Sequence, residues 1–109
     1  MNFNVAELNK KIQFQYPVQV SDAMGGYTIT WTNFGSAVWA AIWPVSAKQV
    51  IETKSESTEI THRIRIRYKQ GIRTSFRIQY KNRIFTIYGP PINVDEKNEW
   101  MDIVCKEVK

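Results

Sequence analysis

A chain of 109 residues and 12.8 kDa folds to roughly 6,300 Å² of surface by size scaling, enough for one core without disulfide or metal staples and too little for two domains. It is 43% hydrophobic and 23% charged, a globular composition, while one cysteine (Cys105) and one histidine (His62) exclude a disulfide scaffold and leave too few ligands for the usual metal sites. The net charge of +5 is confined to one band: residues 59–83 carry eight Lys and Arg and the single acid Glu59, whereas 1–58 are neutral and 84–109 net acidic.

The dominant periodicity is two. In residues 11–16, Ile12, Phe14 and Tyr16 alternate with polar neighbours, as in a strand with one buried face. Pro17 then implies a strand edge or a bulge. A turn over residues 21–26, with Asp22 bonding its backbone, leads into a second alternating stretch, 27–31, so the two form a hairpin. Residues 37–45 place Trp39 and Trp43 on one face and Val38, Ala40 and Ile42 on the other, which requires cover on both sides. This is the longest apolar run, and Pro44 interrupts it, so no membrane helix is expected; no signal-peptide core is visible either, and a soluble chain is predicted.

Residues 46–61 break the pattern. Ser46 is a candidate cap for a short helix over 47–52, and the polar continuation predicts a long flexible loop containing Ser46, Lys48, Glu52, Lys54, Glu56 and Glu59. Residues 62–68 alternate again, with Ile64, Ile66 and Tyr68 inward and Arg63, Arg65 and Arg67 outward. Stretches 76–80 and 83–88 flank a tight turn at Lys81-Asn82, in which Asn82 is expected to take the left-handed conformation. A last strand over 99–106 puts Met101, Ile103 and Cys105 on one face. The whole predicts an all-β fold: one domain, 1–109, forming a small antiparallel β-barrel of about six to seven strands with one short helix and a long flexible loop.

No catalytic motif occurs, so an enzyme is not expected and no cofactor is implied. His62 has no evident partner to orient it as a base, and Cys105 shares its face with apolar residues as a small buried hydrophobe. The sharpest feature is the stripe of Arg63, Arg65 and Arg67, about 6.6 Å apart along a strand. It suits either a phosphate backbone or carboxylates on a neighbouring subunit; a solvated face guarding a strand edge is the plain alternative. Trp39 and Trp43, if outside the barrel, mark an interface. Two aromatics beside a basic band also fit an OB-like nucleic-acid-binding module, although the basic residues lie largely on a different strand from the tryptophans.

The D-x-x-G-G-x(4)-W turn at Asp22 to Trp31, the W-A-x-x-x-P strand at Trp39 to Pro44 and the T-H-R-I-x-I-R-Y strand at Thr61 to Tyr68, in this order, resemble the head-tail joining, or head-closure, adaptor proteins of tailed bacteriophages and prophages. Ala47 and Asn82 stand where the family often has glycine. The resemblance implies a non-catalytic β-barrel subunit in a ring at the virion neck, assembled in the host bacterial cytoplasm. Its implied partners are copies of itself, a portal or adaptor protein on the head side and a tail or tail-completion protein on the other, with at most non-specific contact to channel DNA and no membrane. In such a ring, Arg63, Arg65 and Arg67 and the acidic segment Asp95, Glu96, Glu99 and Asp102 are candidate complementary patches, and residues 46–61 are a candidate channel loop.

Overall fold

The computed structural model describes residues 5–52 and 57–108, with backbone alone for 46–52 and 57–59. Eight strands follow in order: β1 (Lys10–Ser21), β2 (Tyr27–Asn33), β3 (Val38–Glu52), β4 (Ser57–Arg67), β5 (Arg77–Tyr80), β6 (Arg83–Ile87), β7 (Ile92–Asn93) and β8 (Trp100–Val108). Neighbours β1-β3-β4-β8-β6-β5 are all antiparallel, and β5 pairs back to β1, which closes a six-stranded barrel. β2 and the two-residue β7 lie outside this circuit, on β1 and β8.

Alternation along each strand fills the barrel. Ile42, Ile64 and Ile103 face one another across β3, β4 and β8, Ala40, Ile66 and Met101 make a parallel row, and Phe14, Ile78 and Phe85 join β1, β5 and β6. All nine are buried. A one-residue slip of β1, β4 or β5 would turn its glutamines or arginines inward, so burial itself holds their register. The inward assignments read from the sequence hold throughout, with Tyr16 and Tyr68 packed at the margins of this core.

Two expectations are corrected. Residues 47–52 are not a helix: β3 runs on to Glu52 and pairs with β4, Gln49 opposite Ile60 and Glu52 opposite Ser57, after a register shift between Pro44 and Gln49. Ser46, Lys48 and Glu52 thus belong to β3, the first two inside the register shift, and Glu59 to β4; Lys54 and Glu56 lie outside the described residues. The β-branched residues Val50, Ile51, Thr58, Ile60 and Thr61 favour a strand over a helix, and an antiparallel partner within a few residues satisfies the backbone that a single capped turn would leave open. Likewise Lys81, at φ 53°, rather than Asn82 is the left-handed residue of its turn, because the hairpin turns that match strand twist need positive φ at their first central position.

β1 is longer than the barrel needs. Gln15 is its last residue paired to β5, and from Tyr16 to Ser21 it pairs with β2 alone. Pro17, which has no N–H to donate, sits where the strand leaves the barrel wall. Beyond it β1 and β2 project as a two-stranded arm closed by Asp22, whose Oδ1 accepts bonds from the amides of Met24 (2.8 Å) and Gly26 (2.9 Å) while Gly25 takes φ 84°. The molecule measures 54 × 35 × 27 Å, and its accessible surface of 7551 Å² exceeds the roughly 6,300 Å² of a self-contained monomer of this mass.

Gly71 holds a second required conformation. It lies at φ 94°, and a Cβ there would stand 2.9 Å from Cζ of Phe34, whose ring packs at a tilt against the core residue Phe76, 4.9 Å between centres. Gly71→Ala is expected to cost about 1–3 kcal/mol in urea denaturation, and an unchanged midpoint would show that the 69–76 turn relaxes freely.

Candidate functional site

The outer face of β3, β4 and β8 is where the predicted stripe and the predicted tryptophans meet. Trp43 is directly opposite Arg63, Ala41 opposite Arg65, Arg65 opposite Asp102, and Arg67 opposite Trp100. Because these residues share a pleat face, long side chains fold over their neighbours. The Arg63 guanidinium lies 5.0 Å and that of Arg65 5.8 Å from the Trp43 ring centre, and Arg67 lies 5.1 Å from that of Trp100.

Arg65 is the keystone of this face. It is 3% exposed, and it donates from Nε to Oδ1 of Asp102 at 2.5 Å and from Nη2 to Oδ2 at 2.8 Å. This fork-on-fork geometry is the strong form of the ion pair. The hydrogen bonds to Asp102, together with its charge and those of Asp95 and Glu7, raise Arg65 above the usual arginine value in spite of burial. The stripe is therefore not an open row of charges. Its central member is satisfied inside the subunit by one of the acids read as a neighbour's patch, and Asp95 acts on the same group.

Other members of the basic band lie against rings or acids, while Arg73 is exposed. Lys69 sits 5.2 Å from the Phe34 ring centre and Lys81 5.3 Å from that of Tyr80. Arg77 stacks on Trp31 at 4.4 Å and donates to Oε1 of Gln15 at 2.8 Å, and desolvation lowers its pKa. Arg83 pairs with Glu107 at 2.9 Å, and Nη2 of Arg83 and Nε2 of His62 are 3.3 Å apart. His62 also meets Phe85 edge to face at 5.2 Å, so it is part of the packing. Of the acidic segment, Asp95, Glu96 and Glu99 are exposed and Asp102 is buried. Asp95 and Glu96 hold φ near 54°, on a loop tied by the Asn98 amide donating to Oδ1 of Asn93 at 3.0 Å.

Trp39 differs from Trp43. It is 54% exposed, with the Lys11 ammonium 5.7 Å from its ring centre, and it borders an open groove of about 490 Å³ lined by Val5, Leu8, Asn9, Trp39 and Arg67. The groove continues past Val38 and Tyr68 to Lys69.

The projecting arm is a feature that sequence reasoning did not single out. On one of its faces Tyr27 (70% exposed) and Ile29 (57%) stand beside Pro17 and Trp31; on the other, Val18 and Val20 are exposed opposite Thr30 and Thr28. The signal was present: residues 16–33 carry a single charge, Asp22, and place large apolar residues on both pleat faces.

Cys105 is fully buried, with Sγ 3.5 Å from the His62 carbonyl oxygen, and desolvation, aided by the charge of Glu107, pushes its thiol up to about 12. The native state thus keeps the proton to higher pH than the unfolded chain, whose thiol ionises near 8.5. The stability that this provides is complete below about pH 8.5 and declines as pH rises toward 12. We expect the thiol to resist maleimide at pH 7 in the folded protein and Cys105→Ala to flatten the alkaline fall in the urea midpoint; rapid labelling of folded protein would contradict this.

Known proteins share this architecture. A family model described as phage head completion protein matches residues 3–108. The head completion protein gp16 of Bacillus phage SPP1 is 29% identical over 96 residues, covering 88% of this chain and 87% of that protein. The solution structure of protein SF1141 from Shigella flexneri 2a superposes with a TM-score of 0.72 at 31% identity, covering 96% of each chain. A chain from the virion of a native gene transfer agent particle has the same fold, with a TM-score of 0.65 at 20% identity over 92% of this chain and 94% of that one. With the family match running over nearly the full sequence and the same barrel in a relative of 31% identity, the protein belongs to the phage head completion protein family.

Proposed function

We propose that this chain is a non-catalytic neck subunit whose copies form a ring that joins the portal side of the DNA-filled head to the tail and helps to keep the packaged DNA inside. Family membership supports a structural part in head completion. The observation that carries the assembly role is the exposed apolar surface at Trp39 on the barrel and at Tyr27 and Ile29 on the arm, since patches of that kind are interaction surfaces. Arg63, Arg67, Trp39, Asp95, Glu96 and Glu99 are the outward groups offered to neighbouring proteins, a portal or adaptor on one side and a tail protein on the other. Trp43, Arg65 and Asp102 stiffen the wall beneath them. The β3–β4 extension, with its small and nearly balanced charge, is the part we assign to the channel.

The subunit would act in the virion at the head–tail junction after assembly in the host bacterial cytoplasm. Particles assembled without this chain should accumulate as separate tails and DNA-filled heads that lose their DNA, and adding the purified chain should restore joined particles. Normal joining in its absence would overturn the reading. Because Arg65 and Arg83 of the basic band are paired with Asp102 and Glu107 of the same subunit, short duplex DNA should bind only weakly; submicromolar binding with a steep salt slope would instead support a nucleic-acid-binding module.

A further inference from the structure

We propose that the β1–β2 arm of one copy docks, through Tyr27 and Ile29, into the Trp39 groove of the next copy. This rests on the ring reading above and specifies its subunit contact.

Two observations select a second copy as the occupant. The first is position. The groove borders the start of β1, where Lys11 is opposite Trp39, and the arm is the far end of the same strand, eleven residues on and up to about 36 Å away. Neither patch can cover the other within one chain, and two different patches at opposite ends of one strand are what a head-to-tail contact closing by rotation requires.

The second is charge. The arm carries only Asp22, at its tip, whereas the groove and its surroundings carry Lys10, Lys11, Arg67 and Lys69 against the acid Glu7. An apolar arm with one acid at its end complements an apolar slot with a cationic rim, and it would repel neither. Nucleic acid would find almost nothing cationic on the arm to bind.

The test uses the full chain at high protein concentration. Met24→Cys marks the arm tip, 93% exposed, and Asn9→Cys marks the groove; Cys105 is buried and does not compete. Equal mixtures treated with a short bis-maleimide are expected to give cross-links between Met24→Cys and Asn9→Cys chains and none between two chains of the same kind. A Tyr27→Ser/Ile29→Ser variant and a Trp39→Ala variant, both folded by circular dichroism, should each self-associate about tenfold more weakly or worse. Mixed together, they should form a dimer that does not grow, because each supplies the half that the other lacks.

A wild-type chain that stays monomeric at millimolar concentration and gives no Met24→Cys to Asn9→Cys cross-link would overturn this contact, whereas the ring reading stands or falls on the joining of particles. Association with cross-links joining arm to arm, or neither site, would overturn the contact alone. So would arm variants that self-associate normally yet fail to join particles, an outcome that assigns the arm to a different neck protein.

Discussion

Asp102→Ala is expected to lower the unfolding free energy by about 3–5 kcal/mol, because it strands the Arg65 guanidinium, whose side chain is 4% exposed, without its carboxylate. A domain of this size has about 5–15 kcal/mol in total, so the variant should unfold at a much lower urea concentration. The double change Arg65→Met/Asp102→Leu removes both charges and leaves the Trp43 ring with an apolar neighbour. It should recover most of the loss, since the cost lies in the orphaned charge rather than in the pair's net worth. A loss below about 1 kcal/mol for Asp102→Ala would mean that Arg65 swings out from beneath Trp43 into water.

Phe14→Ala should cost a similar 3–5 kcal/mol by a different mechanism. Phe14 is fully buried opposite Ile78, which is itself opposite Phe85, and the three bridge the seam where β5 returns to β1. Its carbonyl also accepts the Phe34 amide at 2.8 Å, continuing β1's pairing beyond the end of β2. Loss of the ring leaves a cavity at the point of closure, so hydrogen exchange in β5 should accelerate more than in β8, which lies across the barrel. Phe14→Leu should cost less than about 1.5 kcal/mol. Ile29→Ala on the arm, where the residue is 57% exposed, should stay within about 0.5 kcal/mol. Equal effects at positions 14 and 29 would contradict the division between a load of core contacts in the barrel and a free surface on the arm.

Much of the barrel was legible as alternation. Ile64 and Ile66 against Arg63 and Arg65, or Met101 and Ile103 along the last strand, sort themselves into faces because the side-chain period of a strand is two whatever it pairs with. The Asp22 turn was legible for the same local reason: a carboxylate two residues before an amide closes an Asx turn by itself. The helix expected over 47–52 failed where a local cue, the cap at Ser46, competed with a pairing to residues 57–60 that only the returning strand supplies.

The candidate site divides in the same way. The sequence alone determined that Arg63, Arg65 and Arg67 share a face, that Trp39 and Trp43 share another, and that the charge of the chain lies in one band. Which of these groups are free was decided by the tertiary structure. Strand order laid β8 beside β4 and so placed Asp102, 37 residues away, against Arg65, turning a presumed contact between subunits into a buried pair within one. Closure through β5 ended at Gln15 and left the rest of β1 and β2 outside as an uncovered arm. Both outcomes depend on which distant strand supplies the partner, and alternation along a single strand carries no information about that choice.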